Sequence, residues 1–307
     1  MARCATIERM RIAGLQKLTL LDYPGKTACT VFTPGCDFRC PFCHNADVVV
    51  GVGAVPASTA QGAVPLPEPG AGADGGVAAF LSDPAEGSAD PADGSVESAH
   101  APVFPTIPEA EFFAFLGKRH GLLDGVCVTG GEPTLQPDLP AFLARVKQEG
   151  FAVKLDTNGS RPNVLRALLD AGLVDAVAMD VKNAPSRYAE TVGLAGDGSR
   201  SRFDLAPVEE SMRLLLAGDV PFEFRTTVVG GLHTAEGLEA TAAWIARLAQ
   251  DAGADPADVR WFLQGFEDAD SVIAGPGAFA PWQEDALKAA LPRLRGFLPR
   301  TALRGVS

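Results

Sequence analysis

TACTVFTPGCDFRCPFCHN, residues 27–45, sets a strand directly against a cysteine-rich loop. Thr27–Thr33 is rich in β-branched and aromatic residues and stops at Pro34-Gly35, a strand followed by a turn. The loop that follows carries Cys36, Cys40 and Cys43, a C-x3-C-x2-C spacing. A single metal ion with four protein ligands usually draws them as two pairs from separated positions. Here three thiols are bunched on one loop, and the other cysteines, Cys4, Cys29 and Cys127, are scattered with no second pair. That arrangement suits a four-iron cluster with three irons held by protein and one left open to bind something else. A zinc site completed by His44, Cys29 or Cys127 is the alternative. His44 directly follows Cys43, so chelation by both is awkward.

Outward from this loop, strand-like and helix-like patterns alternate. Val126–Val128, Phe151–Leu155, Val174–Val181, Phe222–Val229 and Val259–Leu263 read as further strands. Leu139, Phe142, Leu143 and Val146 repeat at helical spacing before Gly150, and Val164, Leu165, Leu168 and Leu169 do so before Gly172. Val208, Met212, Leu215 and Leu216 precede Gly218, and Leu238, Ala242, Ile245 and Leu248 precede Gly253. About six strand–helix units follow one another, which predicts right-handed βαβ crossovers around a parallel sheet. Reacting groups in such a sheet belong at the C-terminal ends of the strands.

Residues 46–105 break the alternation. They are rich in Gly, Ala, Pro, Ser and Asp, and no aromatic residue occurs between Phe42 and Phe80. Too little apolar surface is available there to offset the chain entropy of ordering, which predicts a long acidic, disordered insertion, or a lid or docking loop. The chain has 307 residues and a net charge of −12, and residues 46–107 carry eight acids and no Lys or Arg. The remainder, 30 acids against 26 bases, is close to neutral. An acidic balance argues against nucleic acid and anionic membrane as partners. The charged N-terminal stretch lacks the apolar region of a secretory signal, and no apolar run is long enough to span a bilayer, so a cytoplasmic protein with reduced thiols is expected.

Further segments follow the strands in order: Gly130-Gly131-Glu132-Pro133, Asp156-Thr157-Asn158-Gly159, Met179-Asp180-Val181-Lys182, Phe224-Arg225-Thr226-Thr227 and Leu263-Gln264-Gly265-Phe266. With the cysteine loop, this succession resembles the radical S-adenosylmethionine (radical SAM) superfamily. Gly14–Gly25 (GLQKLTLLDYPG) ahead of the loop and Cys43-His44-Asn45 within it are similar to glycyl-radical-enzyme activating enzymes, above all the activators of anaerobic ribonucleoside-triphosphate reductase. The resemblance implies an α/β partial (β/α)6 TIM-like barrel over residues 12–299, interrupted by the insertion at 46–105. It also implies an activity: reductive cleavage of S-adenosylmethionine at a [4Fe-4S] cluster to give a 5′-deoxyadenosyl radical. That radical would take hydrogen from a glycine Cα of a partner glycyl radical enzyme, with flavodoxin or ferredoxin as electron donor.

The same resemblance assigns roles. Cys36, Cys40 and Cys43 hold the cluster. Gly130, Gly131 and Glu132 meet the methionine amino group, the glycines by letting backbone approach the ligand. Lys182 and Arg225 face the methionine carboxylate. Asp156, Asp180 and the Thr157 position hold a monovalent cation in the similar formate-lyase activators, which makes such a cation an expectation here. Asn158 adds to the S-adenosylmethionine site. Phe42 and Phe38 shield the cluster or simply pack. Each has a plainer reading: Gly-Gly as a tight turn, the two aspartates as turn caps, Lys182 as a solvated side chain. His44 stands near adenine or a cluster sulfur, or is structural. His233 and His120 read as surface residues, Cys4, Cys29 and Cys127 as small core or surface groups, Trp244, Trp261 and Trp282 as core, and Tyr23 as loop packing.

Two departures from the family pattern stand out, the length of the insertion and Gly265 where relatives usually carry a second Gln. The alternative activities are activation of pyruvate formate-lyase or another glycyl radical enzyme, and a small-molecule enzyme of the 7-carboxy-7-deazaguanine synthase type. In a different class stands a zinc-bound interaction module.

Overall fold

A computed structural model describes residues 10–51, 106–196 and 203–305. Its centre is one sheet of eight strands in the order of the sequence. They are β1 (Gly14–Thr19), β2 (Ala28–Thr33), β3 (Gly125–Gly130), β4 (Ala152–Thr157), β5 (Ala176–Asp180), β6 (Phe222–Val228), β7 (Arg260–Gly265) and β8 (Arg300–Arg304). β1 runs antiparallel to β2, and β2 to β8 are all parallel. β1 and β8 are the two edges, so the sheet is a partial barrel, as the resemblance implies.

The central strands are buried on both faces, which is why their sequences run as apolar stretches without clear alternation. Helices α1 (Ala46–Val49), α2 (Glu109–Gly117), α3 (Leu139–Gln148), α4 (Pro162–Asp170), α5 (Pro185–Thr191), α6 (Ala206–Ala217), α7 (Ala235–Asp251) and α8 (Glu284–Arg295) lie in the connections. Leu139, Phe142, Leu143 and Val146 form the buried stripe of α3, and Leu238, Ala242, Ile245 and Leu248 that of α7, as their spacing predicts. Phe112, Phe113 and Phe142 form an aromatic cluster with ring centroids 5.1–5.5 Å apart. Trp261 is fully buried, and its indole N–H donates to Thr226 Oγ1 at 2.9 Å. Trp244 is buried as well, with its N–H on Glu209 at 2.9 Å, whereas Trp282 packs half-buried at the rim of the core.

The sheet has seven parallel strands and one antiparallel, more than the six read from the sequence. The two extra ones are its edges. Residues 46–51, the start of the segment read as an insertion, carry α1, whose Ala46 and Val49 are buried. The rest of that reading, residues 52–105, lies outside the described residues, as does Cys4. Among the described residues no helix is long and apolar enough to cross a membrane.

Candidate functional site

Beyond Thr33 the chain turns at Pro34-Gly35 and enters the cysteine loop over the C-terminal ends of the strands. The loop is held from two sides. Arg39 N donates to Val192 O at the end of α5 (2.9 Å), and the segment after β7 donates Ile273 N to Cys43 O (3.1 Å) and Ala274 N to Pro41 O (2.9 Å). The Arg39 guanidinium turns back onto the Cys36 and Phe38 carbonyls. Phe38 and Phe42 are buried, Phe38 edge-on to Phe203 at 5.9 Å. His44 stacks on Phe266 at 5.3 Å, and its Nε2 meets the Glu267 carbonyl.

Cys36, Cys40 and Cys43 line one cavity of about 320 Å³, and Phe42, Gly130, Gly131, Glu132, Asp156, Asn158, Asp180, Lys182 and Arg225 line the same cavity. Residues scattered over nearly two hundred positions thus meet at the strand ends. Thr157, His44, Asn45 and Gln264 join them, and Gln16, Asp22 and Thr30 lie on its wall from β1, the β1–β2 connection and β2.

The two glycines serve the loop more directly than they serve a ligand. A Cβ on Gly131 would lie 1.8 Å from Gly35 O, and one on Gly130 (φ +119°) 2.2 Å from Thr33 N. Only glycine lets the end of β3 cross so tightly against the entry to the cysteine loop. Gly131 N donates to Thr33 O and Glu132 N to Gly35 O, both at 2.8 Å, and Asn45 Nδ2 caps Gly130 O at 3.1 Å.

Glu132 is fully buried and accepts from Thr134 N (3.1 Å), Thr134 Oγ1 (2.5 Å), Thr157 Oγ1 (2.8 Å) and Asn158 N (2.7 Å). It pins the end of β4 to the end of β3. Burial, with the Asp37 charge behind it, pushes its carboxyl up to about 7 against the pull of those hydrogen bonds. Asn158 Nδ2 reaches Asp37 Oδ1 at 2.9 Å and stands 3.7 Å from Cys36 Sγ.

Next to this lies a row of charges. Arg225 Nη1 meets Asp156 Oδ2 at 2.9 Å and its Nε meets Asp180 Oδ1 at 3.1 Å. Lys182 Nζ meets Asp180 Oδ2 at 2.8 Å, and Lys154 Nζ pairs with Asp156 Oδ1. Burial alone would raise Asp180, but Lys182 and Arg225 hold it down at about 2. Burial opposes the charge on Lys182 and Arg225, yet their aspartate partners raise both.

His233, read as a surface residue, is buried. Its Nδ1 accepts from Val229 N at 3.1 Å and its Nε2 faces the Lys182 carbonyl at 2.8 Å, which makes Nε2 the protonated nitrogen. The ring thereby locks the chain just past β5 to the turn after β6. His120 is exposed at 3.5 Å from Glu149, as expected. Lys154 went unnoticed in the sequence, although its place two residues before Asp156 on β4 puts both on one face of the strand. Cys127 also enters from below, 3.6 Å from Asp156 Oδ1.

Burial raises all three loop thiols: Cys36 well above the ordinary range, Cys40 to about 12, and Cys43 as well. Among the described residues no three His, Cys, Asp or Glu side chains are grouped as ligands of one metal ion. What the loop offers instead is three sulfurs on one cavity wall with apolar rings behind them. Neither Cys29 nor Cys127 lines that cavity, and His44 Nε2 is engaged with Glu267. The donor set therefore fits a cluster held at three corners.

The family model described as the radical SAM superfamily matches residues 97–245. The chain carries a radical SAM domain, which makes it an enzyme of that class and implies a [4Fe-4S] cluster and S-adenosylmethionine. The match begins downstream of the cysteine loop, so the loop rests on its own geometry. A provisionally named glycyl-radical enzyme activating enzyme of Methanocaldococcus jannaschii is 29% identical over 229 residues, covering 74% of this chain and 72% of the relative. The 7-carboxy-7-deazaguanine synthase of Thermococcus kodakarensis is 37% identical over 87 residues, 28% of this chain and 34% of that one. Among solved structures, Streptococcus suis SuiB bound to its precursor peptide SuiA superposes with a TM-score of 0.52 at 11% identity, over 90% of this chain and 48% of SuiB. The chain thus spans about half the length of SuiB, and this likeness concerns the fold.

Proposed function

We propose that this radical SAM enzyme is an activase that abstracts a hydrogen atom from a glycine Cα of a partner glycyl radical enzyme. Anaerobic ribonucleoside-triphosphate reductase is the first candidate for the partner, and flavodoxin or ferredoxin for the electron donor. The observation that carries the reading is the similarity to the activating-enzyme relative across nearly three-quarters of both chains. When bound, the cluster supplies one electron to the sulfonium of S-adenosylmethionine, which yields methionine and a 5′-deoxyadenosyl radical able to take hydrogen from a C–H bond.

The chain's own residues position and exclude. Cys36, Cys40 and Cys43 would hold the cluster as thiolates and would leave it one site open to S-adenosylmethionine. Lys182 and Arg225 attract the methionine carboxylate, Arg225 from a guanidinium already fixed by two aspartates. The Gly130-Gly131-Glu132 segment lines the same cavity. Phe38 and Phe42 keep water from the sulfurs. Glycine suits the substrate role because it has no side chain to block entry.

The deazaguanine synthase similarity, confined to about a third of that relative, favours a second reading in which the substrate is a small molecule. Reduced, reconstituted protein with S-adenosylmethionine and a candidate reductase separates the two. The activase reading expects a glycyl radical doublet by electron paramagnetic resonance, lost together with deoxyadenosine release in Cys40→Ala. Deoxyadenosine release without a doublet for any glycyl radical enzyme would remove the activase reading and retain the class.

A further inference from the structure

The row of charges beside the cysteine loop contains one member that no proposed step uses. Lys154 is 2% exposed and pairs with Asp156 Oδ1. With it in place, all four oxygens of Asp156 and Asp180 are occupied, by Lys154, by both edges of Arg225 and by Lys182. The Thr157 hydroxyl, the third group expected to coordinate a cation, donates to Glu132 and receives Gly159 N at 3.1 Å. Within the row itself three side-chain cations stand against two carboxylates, a surplus of one positive charge before the Glu223 carboxylate beside Arg225 and the Cys40 and Cys43 sulfurs beside Lys182 are counted. Adding a sodium or potassium ion would place like charge beside like charge at low dielectric and would break an existing ion pair. The monovalent cation expected from the resemblance does not fit.

We infer that Lys154 is the built-in counterion of this site: its ammonium holds Asp156 where an exchangeable cation would otherwise be needed. Asp156 in turn orients Arg225, and the positive charge the row shows the cavity comes from Arg225 and Lys182, the two of its three cations that line it, whereas Lys154 does not. A row so charged accepts the carboxylate of S-adenosylmethionine with no added ion. Lys154 is a positioning residue, acting through Asp156 and Arg225. This assignment rests on the proposed S-adenosylmethionine role of the cavity.

The test is equilibrium binding of S-adenosylmethionine to the reconstituted full chain in choline, sodium and potassium chloride at equal ionic strength. Wild type should bind within about twofold in all three salts, and Lys154→Arg should keep that indifference. Lys154→Met should lose about tenfold or more in choline, since it leaves a buried carboxylate half-paired, and should recover most of the loss in potassium chloride. A wild-type affinity that rises several-fold with either metal ion overturns the assignment and leaves the S-adenosylmethionine reading standing. Wild-type binding by Lys154→Met in choline does the same. Absence of binding in every salt overturns both. The wild-type arm needs no substitution, so a misfolded variant does not shelter the inference.

Discussion

At the scale of single residues, Glu132 and Gly131 show how much of this site is built to hold a loop in place. Glu132 is buried beneath four donors, and its carboxyl rises from its ordinary value near 4.5 to about 7. The folded protein therefore keeps this proton over a range in which the unfolded chain has lost it, and protonation favours the fold. Relative to Glu132→Gln, the wild type should gain about 3 kcal/mol of unfolding free energy as pH falls from above 7 to below 4.5. Denaturant titrations of both proteins at several pH values would show this, and a constant difference would contradict it. Gly131→Ala drives a methyl group into the Gly35 carbonyl and should cost about 3 kcal/mol or more, visible as a lowered melting temperature. The residues named from the motifs were legible because each lies on a strand or just past its end. Lys154 was hidden because an i, i+2 neighbour of an aspartate on a strand looks like ordinary charge alternation. His233 was hidden because its partners are backbone groups of the β6–α7 turn and of Lys182, which no local pattern announces.

At the scale of elements, the sequence shows the inner strands clearly and the edges poorly. β2 to β7 read as apolar runs because helices cover both faces. β1, with Gln16 and Lys17, and β8, bounded by Arg300 and Arg304, carry the charge that edge strands use to discourage further pairing, and so do not look like strands. α2 escaped because Phe112 and Phe113 are adjacent, which spoils a one-faced pattern. The β8 edge is tied down by chemistry. Arg304 grips the buried carboxylate of Glu223 through two bonds of 2.6 and 2.8 Å and lies over the Phe262 ring at 4.1 Å. Arg304→Met would leave Glu223 buried and unpaired, and should cost about 2–3 kcal/mol, discounted because the arginine itself is partly exposed. An unfolding free energy within error of wild type would show that β8 is held by its ladder alone.

For the whole molecule, the site is a product of winding order. Because β2 to β8 lie side by side, parallel and in chain order, each of them delivers its C-terminal residues to the same rim, and the cysteine loop closes over them. That order explains why motifs far apart in sequence converge, and why the loop can be fastened by the end of α5 and by the segment after β7. The parallel inner strands were legible from alternation; the number of strands was not. The claim that bears the most weight is that three thiols from one short loop hold a cluster with one corner free. Mössbauer spectroscopy of anaerobically reconstituted protein, with and without S-adenosylmethionine, tests it directly. The account predicts a [4Fe-4S] signal in which one iron alone shifts when S-adenosylmethionine is added. A cluster whose irons are all unchanged by it, or no cluster at all, would contradict it.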